Sequence, residues 1–186
     1  MFLYYNPEII RAVEQDPRTL KRLLERGDDP NTRDERKQTP LRQAVAHNQL
    51  ACVRMLIAAG SDINYRDGNG GLLSYVRKPS IAQILIENGA PLTFKDHAGR
   101  GPLFHTLGHP AVLELLLLNF ADSDQRDNNG MTPLMIACQN NNLAAVKVLD
   151  SYSADWDAWN RWGKIARHYS GAVIKKWYHR KYHVEL

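Results

Sequence analysis

The chain has 186 residues, of which 44% are hydrophobic and 24% are charged, as in an ordinary folded protein. No apolar run approaches the roughly 20 residues that a membrane-spanning helix needs. The first ten residues, MFLYYNPEII, lack the basic start and long apolar stretch of a signal peptide. We therefore expect a cytoplasmic protein, although a secreted effector that uses other signals would look the same.

The net charge of +4 is unevenly distributed along the chain. Residues 159–186 carry seven Lys or Arg against one Glu, a net +6 that leaves −2 for residues 1–158. Any general attraction to acidic partners is therefore expected at the C-terminal end.

Five positions recur in step along the chain: Asp34, Asp67, Asp96, Asp127 and Asn160, separated by 33, 29, 31 and 33 residues. Each closes a similar phrase: NTRD, NYRD, TFKD, DQRD and DAWN. A period near 33 residues with Thr-Pro-Leu soon after the Asp is typical of a helical solenoid. Such a solenoid offers a long, shallow, rigid surface and no buried catalytic floor.

The first unit, residues 1–33, has the features of a capping repeat. Asn6-Pro7 stands where later units have Thr-Pro, and Gly27 stands where their second helix ends. Residues 34–66 form a regular unit that begins with Thr39-Pro40-Leu41. Thr39 is predicted to cap the first helix, and Pro suits the first helical turn because its missing N–H has no partner there.

The second helix of this unit has an apolar stripe and a clear end. Val53, Leu56 and Ile57 follow the i, i+3, i+4 spacing of a buried helix face. Gly60 is predicted to supply the left-handed residue that ends the helix.

The two middle units are shortened. Residues 67–95 are four residues short and have Gly70 to Leu73 in place of the Thr-Pro-Leu phrase. Residues 96–126 are two short and put Phe120 where Gly normally ends the second helix. Because a bulky residue is costly in a left-handed conformation, Asn119 is predicted to take that role.

The last two units close the array. Residues 127–159 repeat the regular pattern with Thr132-Pro133-Leu134, and residues 160–186 read as a degenerate C-terminal cap with a basic helix after Gly171.

These units closely resemble ankyrin repeats. The resemblance rests on the Thr-Pro-Leu phrases, on Ala44 and Ala137 as small packing residues, and on LIAAGSDIN as a repeat ending. It covers essentially the whole chain and implies an all-α ankyrin-repeat solenoid, made of helix–turn–helix units with projecting β-hairpin-like loops. The implied organisation is a single domain over residues 1–186, with units at 1–33, 34–66, 67–95, 96–126, 127–159 and 160–186.

Motifs for catalysis, metals or cofactors are weak. His105/His109 and His179/His183 have i, i+4 spacing, but no further Cys or carboxylate completes a zinc site. The GNGG stretch at 68–71 lacks the strand before it and the Lys after it that a phosphate loop needs, and it reads as a hairpin tip. We therefore predict no enzyme activity, no metal and no cofactor.

The C-terminal stretch KKWYHRKYH mixes basic and aromatic residues, as nucleic-acid or anionic-membrane contacts do. The alternative function is thus an effector or adaptor that binds nucleic acid or membrane through this helix. We favour a cap, in which one face covers the last repeat and the other faces water. The covering residues would be Val173, Ile174, Trp177 and Tyr178, and the water-facing ones Lys175, Lys176, Arg180 and Lys181.

The residues before and after each recurring Asp are the candidate binding surface. The resemblance places them on hairpins that edge a concave groove, although solvated charge is the alternative interpretation. The predicted protein-binding residues are Arg33, Arg36, Arg66, Asn69, Lys95, His97, Arg100, Arg126, Asn128, Met131, Trp159, Arg161 and Trp162. Trp159 and Trp162 rank first, because Trp and Arg are the usual high-energy contacts at interfaces.

The predicted function is a non-enzymatic protein-binding module, monomeric on its own. Its partner is expected to be another protein, such as a toxin or an enzyme, with an acidic surface. By family analogy the module would act as a stand-alone inhibitor, such as a bacterial immunity protein.

Overall fold

The computed structural model describes residues 7–183 and forms two compact units. Unit 1 comprises the chain up to residue 66 together with residues 71–91, and unit 2 comprises residues 67–70 and everything from residue 92. Asn6, part of the predicted N-terminal cap, lies outside the described residues. The prediction of one domain over the whole chain stays a prediction.

Unit 1 consists of short helices joined by turns. Its elements are α1 (Pro7–Gln15), α2 (Pro17–Glu25), α3 (Pro40–Ala46), α4 (Leu50–Ala58), a 3₁₀ helix (Leu72–Tyr75) and α5 (Pro79–Glu87). Helix α1 packs on α2 and α3, and α4 packs on α2, α3 and α5. A 3₁₀ helix stands where other repeats have an α-helix that starts with Thr-Pro-Leu. Its N-cap is Gly71, which has no side chain to accept a hydrogen bond from the first helical turn.

The predicted start of α3 at Thr39 is confirmed. Thr39 caps α3, and its Oγ1 accepts a hydrogen bond from the Arg42 backbone N–H at 3.3 Å. In α4, Val53 and Leu56 are fully buried and Ile57 is half-buried. The apolar stripe of this helix therefore faces the core, as predicted.

Two strands of two residues each lie at the start of the shortened third repeat, residues 67–95. Strand β1 (Arg66–Asp67) pairs with β2 (Gly70–Gly71), and Gly70 has φ +105°. The GNGG stretch is therefore a hairpin tip, as predicted.

Unit 2 holds the remaining helices. They are α6 (Pro102–His105), α7 (Pro110–Leu118), α8 (Pro133–Gln139), α9 (Leu143–Ser151), α10 (Ala166–Tyr169) and α11 (Ala172–Tyr182). Helix α8 packs on α6, α9 and α10, while α9 packs on α7 and α11. Thr132 caps α8 as predicted, with its Oγ1 accepting from the Met135 N–H at 3.3 Å.

The second helix of each of the first five repeats is followed by a left-handed residue. These residues are Gly27, Gly60, Gly89, Phe120 and Ser153, with φ between +60° and +93°. They recur with the spacings of the Asp positions, so the helix ends and the hairpins keep one register. The three glycines lie in unit 1, whereas Phe120 and Ser153 lie in unit 2.

The prediction that Asn119 would take the left-handed role was wrong. Asn119 has φ −95°, and Phe120 itself has φ +66°. The reason is the hydrogen bonding at the helix end, where Phe120 N–H donates to Leu117 O and Ala121 N–H to Leu116 O, both at 3.0 Å. This pattern requires a left-handed residue at position 120 whatever its side chain.

Candidate functional site

The recurring Asp or Asn organises each hairpin tip. In unit 2, Asp127 Oδ1 accepts from the backbone N–H of Asn129 at 2.8 Å and of Met131 at 3.0 Å. Asn160 Oδ1 accepts the two corresponding N–H groups at 3.0 and 3.1 Å. The residue three positions after the Asp is left-handed, as at Gly130 with φ +73°. These side chains therefore build the turns and are not free to bind a partner.

Neighbouring tips of unit 2 are joined by backbone hydrogen bonds. The bonds run from His97 N–H to Gly68 O, from Asn128 N–H to Ala98 O and from Arg161 N–H to Asn129 O, at 3.1, 2.8 and 3.1 Å. We call the tips 67–70, 96–100, 127–131 and 160–164, together with the residue directly before each of the last three tips, the hairpin edge. Since each tip is fixed to the next, the edge holds its outward side chains in a defined arrangement.

The close approach of neighbouring tips favours glycine at two positions. Gly99 has φ +77°, and a Cβ there would stand 3.0 Å from the Asn128 backbone nitrogen. Gly130 has φ +73°, and its Cβ would stand 3.2 Å from the Arg161 backbone nitrogen. A side chain at either position would therefore be strained and would require the neighbouring tip to shift.

Lys95 and Arg126, which precede two of the tips, hydrogen-bond to neutral groups. Lys95 Nζ donates to Arg126 O at 3.3 Å, and Arg126 Nη1 donates to Trp159 O at 2.6 Å. Both acceptors are neutral carbonyl oxygens. Within residues 7–183 neither cation forms an ion pair with a carboxylate, so both can attract an acidic partner.

Two indole rings stand at the C-terminal end of the hairpin edge. Trp159 is 64% exposed and Trp162 is 58% exposed. The Arg126 guanidinium lies 5.9 Å from the Trp159 ring centroid, and the Arg161 guanidinium lies 5.5 Å from that of Trp162. Arg161 is itself fixed by a hydrogen bond of 2.8 Å from its Nη1 to Asn129 Oδ1. The result is a pre-formed pair of exposed Trp–Arg contacts.

The structure brings many of the predicted site residues together on this one edge. The exposed residues in unit 2 are Asn69, Lys95, His97, Arg126, Asn128, Trp159, Arg161 and Trp162. Arg33, Arg36 and Arg66 are also exposed but lie in unit 1, where Arg33 stands 5.9 Å from the ring centroid of the buried Tyr65.

Met131 was wrongly predicted to contact a partner. It is buried, with 5% exposure, and its Sδ accepts from Asn160 Nδ2 at 3.1 Å. The chain turns inward at this position because Met131 closes the hairpin just before the buried cap Thr132. Arg100 is half-buried, and its Nε lies 3.2 Å from Asp127 Oδ2, so its charge is already paired.

Helix α11 covers the end of unit 2 with part of the predicted face. Ile174 is fully buried, and the Tyr178 ring packs at 4.6 Å, centroid to centroid, against Trp156. Trp177 is half-buried and stacks at 6.5 Å on the same Trp156. Val173 was wrongly predicted to be covered: it is 51% exposed, because it points away from the apolar face that Ile174 and Tyr178 form.

A buried carboxylate holds the end of α11. Asp150 accepts hydrogen bonds from Trp156 Nε1 at 2.8 Å, from Tyr182 OH at 2.7 Å and from Lys181 Nζ. Lys181 faces water as predicted, with its side chain 43% exposed, but it also donates to a carboxylate whose side chain is 2% exposed. The hydrogen bond to Asp150 raises the pKa of Lys181, and burial followed by the same carboxylate raises the pKa of Tyr182. Sequence reasoning missed this contact, since Asp150 lies 31 residues before Lys181.

The aromatic residues of α11 thus serve the interior contact. Lys175, Lys176 and Arg180 remain exposed, but Trp177, Tyr178 and Lys181 are used within the protein. Single-stranded nucleic acid stacks its bases on aromatic rings, but Trp177 and Tyr178 of α11 pack against Trp156 instead.

The two histidines of the first i, i+4 pair lie on different elements. His105 ends α6 and lies 3.1 Å from Asp96 Oδ2, whereas His109 precedes α7, so the two do not share a helix. Throughout residues 7–183, no group of three or more His, Cys, Asp or Glu is placed to hold a metal ion. In the same part of the chain, no helix is long and apolar enough to cross a membrane.

Both cysteines are buried free thiols. Burial raises the pKa of the Cys138 thiol to about 11, and burial likewise raises the pKa of Cys52. The reactive thiolate is therefore scarce at neutral pH.

Sequence reasoning also missed an exposed apolar site at the end of α7. Phe120 is 96% exposed and Leu118 is 58% exposed. The sequence did contain a sign of this site, because Phe stands at position 120 where other repeats end the helix with Gly. The prediction placed the end of the helix at Asn119 instead, and so no special role was given to Phe120.

Family models for ankyrin repeats match two stretches of the chain. A model of three repeat copies matches residues 72–161, and a model of many copies matches residues 23–75. Together they reach from residue 23 to residue 161.

Several curated relatives share about a third of their aligned residues with this chain. Ankyrin repeat and SOCS box protein 3 of Bos taurus is 33% identical over 88 residues, which are 44% of this chain and 17% of the relative. An ankyrin repeat-containing protein of Schizosaccharomyces pombe is 33% identical over 92 residues, 48% of this chain and 44% of the relative. SH3 and multiple ankyrin repeat domains protein 1 of Homo sapiens is 33% identical over 95 residues, 47% of this chain and 4% of the relative.

The chain matches less than half of the length of each of these relatives. What they share with it is the repeat itself. The helical units, the glycine-bearing hairpin tips and the two family matches agree with the predicted all-α fold class. This chain belongs to the ankyrin repeat family.

Proposed function

We propose that this chain is a non-enzymatic module that binds a protein partner through the hairpin edge of unit 2. Ankyrin repeats are in general protein–protein interaction modules. The observation that carries the proposal is the exposure of Trp159 and Trp162 on a hydrogen-bonded edge, each with an arginine beside its ring.

The edge has the physical features of an interaction hot spot. Trp and Arg side chains dominate binding energy at interfaces, because they bury a large area and also donate hydrogen bonds. The fixed tips reduce the entropy that binding would otherwise cost. Lys95 and Arg126 carry charge that no carboxylate neutralises within the described residues, which favours a partner with an acidic surface.

The test is to capture the partner and measure its affinity. Immobilised wild-type chain isolates the partner, and calorimetry then compares wild type with a Trp159→Ala/Trp162→Ala double variant. Loss of hot-spot contacts of about 2 kcal/mol predicts at least roughly thirtyfold weaker binding. Val173→Ala is the matched control, because Val173 is an exposed apolar residue of unit 2 away from the edge. Equal affinity of the double variant and wild type would move the binding site off the hairpin edge.

We further propose that this module is an inhibitor: its binding blocks the activity of the partner, as an immunity protein blocks a toxin. The support is the general interaction role of the family. The isolated partner is titrated with wild-type chain and with the double Trp variant. Inhibition by wild type alone is expected, and full activity of the saturated complex would reduce the role to scaffolding.

We also place this interaction in the cytoplasm. The support is the pair of free thiols, which persist in a reducing compartment. Fractionation of cells that express the tagged full chain tests this placement.

A further inference from the structure

We propose that a pocket beside Phe120 is a second contact for the same partner, and that it takes an extended segment with an apolar side chain next to a carboxylate. The inference rests on the proposed function, because Arg126 lies both in this pocket and beside Trp159 on the hairpin edge. It adds the chemistry of the partner segment and a site that the hairpin tips do not include.

The first observation is the position and exposure of Phe120. Phe120 adopts φ +66°, whereas Gly27, Gly60 and Gly89 occupy the same position in unit 1. A side chain with a Cβ is strained in this conformation, and glycine is not. The ring is 96% exposed, so packing within the chain does not offset the strain. We therefore infer that the Phe120 ring contacts another molecule.

The second observation is the pocket itself, which lies within unit 2. It has a volume of about 420 Å³. Phe120, Leu92 and Ala121 give it an apolar part, and Lys95 and Arg126 give it a basic end. Leu118, 58% exposed, extends the apolar surface beyond Phe120. The dimensions suit one or two side chains of a bound segment.

The pocket holds charges of both signs. Asp122 and Asp124 also line it, and Asp122 Oδ1 accepts from the Asp124 N–H at 2.9 Å and Asp124 Oδ1 from the Asp155 N–H at 2.8 Å. These hydrogen bonds turn one oxygen of each carboxylate towards the loop that follows α7. Lys95 and Arg126 donate to neutral carbonyl oxygens, and because an ammonium and a guanidinium have further N–H donors, a carboxylate of a bound segment can also accept from them.

These features specify the chemistry of the occupant. An aliphatic or aromatic side chain packs on Phe120, and an adjacent Asp or Glu reaches the basic end. Charge-assisted hydrogen bonds to Lys95 and Arg126 then fix the orientation of the segment. The segment continues past Arg126 towards Trp159, which joins the pocket to the hairpin edge.

The experiment uses a display library of random dodecapeptides selected on the full chain. Three proteins are compared: wild type, Phe120→Gly, and Ser153→Gly as the matched control. Ser153 occupies the same left-handed position in the next repeat, with φ +60°, and carries no apolar ring. Wild type and Ser153→Gly should enrich peptides that combine an apolar residue with a neighbouring Asp or Glu. The best peptide should bind Phe120→Gly at least about tenfold more weakly by fluorescence anisotropy, as for loss of one hot-spot side chain.

Other outcomes overturn the inference. Enriched peptides that bind Phe120→Gly as tightly as wild type, or the absence of any acidic apolar pattern, would show that the pocket does not select this chemistry. A dimer of the wild-type chain in sedimentation equilibrium that Phe120→Gly abolishes would assign the surface to a second copy of the chain instead. Circular dichroism of each variant confirms that the helices are retained.

Binding of the captured partner separates this inference from the proposed function. Loss of partner binding in the double Trp variant but not in Phe120→Gly would leave the hairpin edge as the site and refute the pocket. Loss in Phe120→Gly but not in the double Trp variant would refute the hairpin edge and retain the pocket.

Discussion

The two compact units are built from the same repeat, but they differ in how many large hydrophobic side chains they expose. Among the described residues, the strongly exposed large hydrophobic side chains all lie in unit 2. They are Leu118, Phe120, Trp159, Trp162, Val173 and Tyr182. Exposed rings and aliphatic chains mark interaction sites when they cluster, so the comparison assigns the proposed binding to unit 2.

Individual cations differ between the two units as well. In unit 1, Arg26 binds Asp28 with both its Nε and Nη2 atoms and also lies 3.5 Å from Glu8. In unit 2, Lys95 and Arg126 bind carbonyl oxygens, although Arg100, Arg167 and Lys181 of the same unit pair with carboxylates. The charge available to a partner in unit 2 therefore lies on particular residues of the hairpin edge and not on the unit as a whole.

The largest expected difference between the units concerns their hairpin tips. Asp127 is buried and accepts two backbone N–H groups as well as Arg100 Nε, whereas Asp34 is half-buried and accepts two N–H groups, both at 2.8 Å. Asp127→Ala should lower the free energy of unfolding by about 3 kcal/mol, because it leaves buried donors and a cation without an acceptor. Asp34→Ala should cost about 1 kcal/mol. Urea unfolding measures both, and equal losses would mean that the two tips are equivalent.

The next effect concerns the buried carboxylate that holds α11 in unit 2. Asp150→Asn should lower the free energy of unfolding by about 2 kcal/mol, since the bond to Lys181 loses its charge. It should also speed tryptic cleavage of α11, which exposes Lys175, Lys176 and Arg180. Asp157→Asn is the control: its pair with Arg167 is largely exposed, and the change should stay within about 0.5 kcal/mol. Cleavage at the wild-type rate would show that apolar packing alone holds the helix.

The same contact gives a pH dependence with a definite sign. The pKa of Lys181 and the pKa of Tyr182 are both raised in the folded protein, from 10.5 and 10.0. Their contribution is therefore complete at neutral pH and is lost as the pH rises through the folded-state pKa values. Alkaline titration followed by Trp fluorescence should show this loss in wild type and a smaller change in Asp150→Asn. A loss of the contact on acidifying from neutral pH to pH 6 would contradict the assignment to Lys181 and Tyr182.

The smallest effect tests the helix ends that distinguish the units. Phe120→Gly should raise the free energy of unfolding by up to about 1 kcal/mol, because it removes strain at φ +66° while giving up almost no burial. Gly89→Phe, which places the unit 2 feature in unit 1 at φ +83°, should destabilise by about 1 kcal/mol. Thermal melts measure both. A destabilised Phe120→Gly would mean that the ring packs within the chain and is not available to a partner.

Local sequence is enough to predict the repeat period, the capping Thr39 and Thr132, and the turn-forming role of the recurring Asp. These features depend on local chemistry: a side-chain oxygen next to free N–H groups, or a residue that tolerates a left-handed backbone. Their partners lie within a few residues, so spacing alone identifies them.

The burial of Met131 and the pairing of Lys181 with Asp150 depend instead on tertiary packing. Met131 is covered by Asn160, 29 residues later, and Lys181 reaches a carboxylate 31 residues earlier. Phe120 shows both levels: the hydrogen bonds that fix its left-handed backbone are local, whereas the 96% exposure of its ring depends on how the surrounding residues pack. Contacts between distant residues depend on how one repeat stacks on the next, which the order of residues within a repeat does not specify.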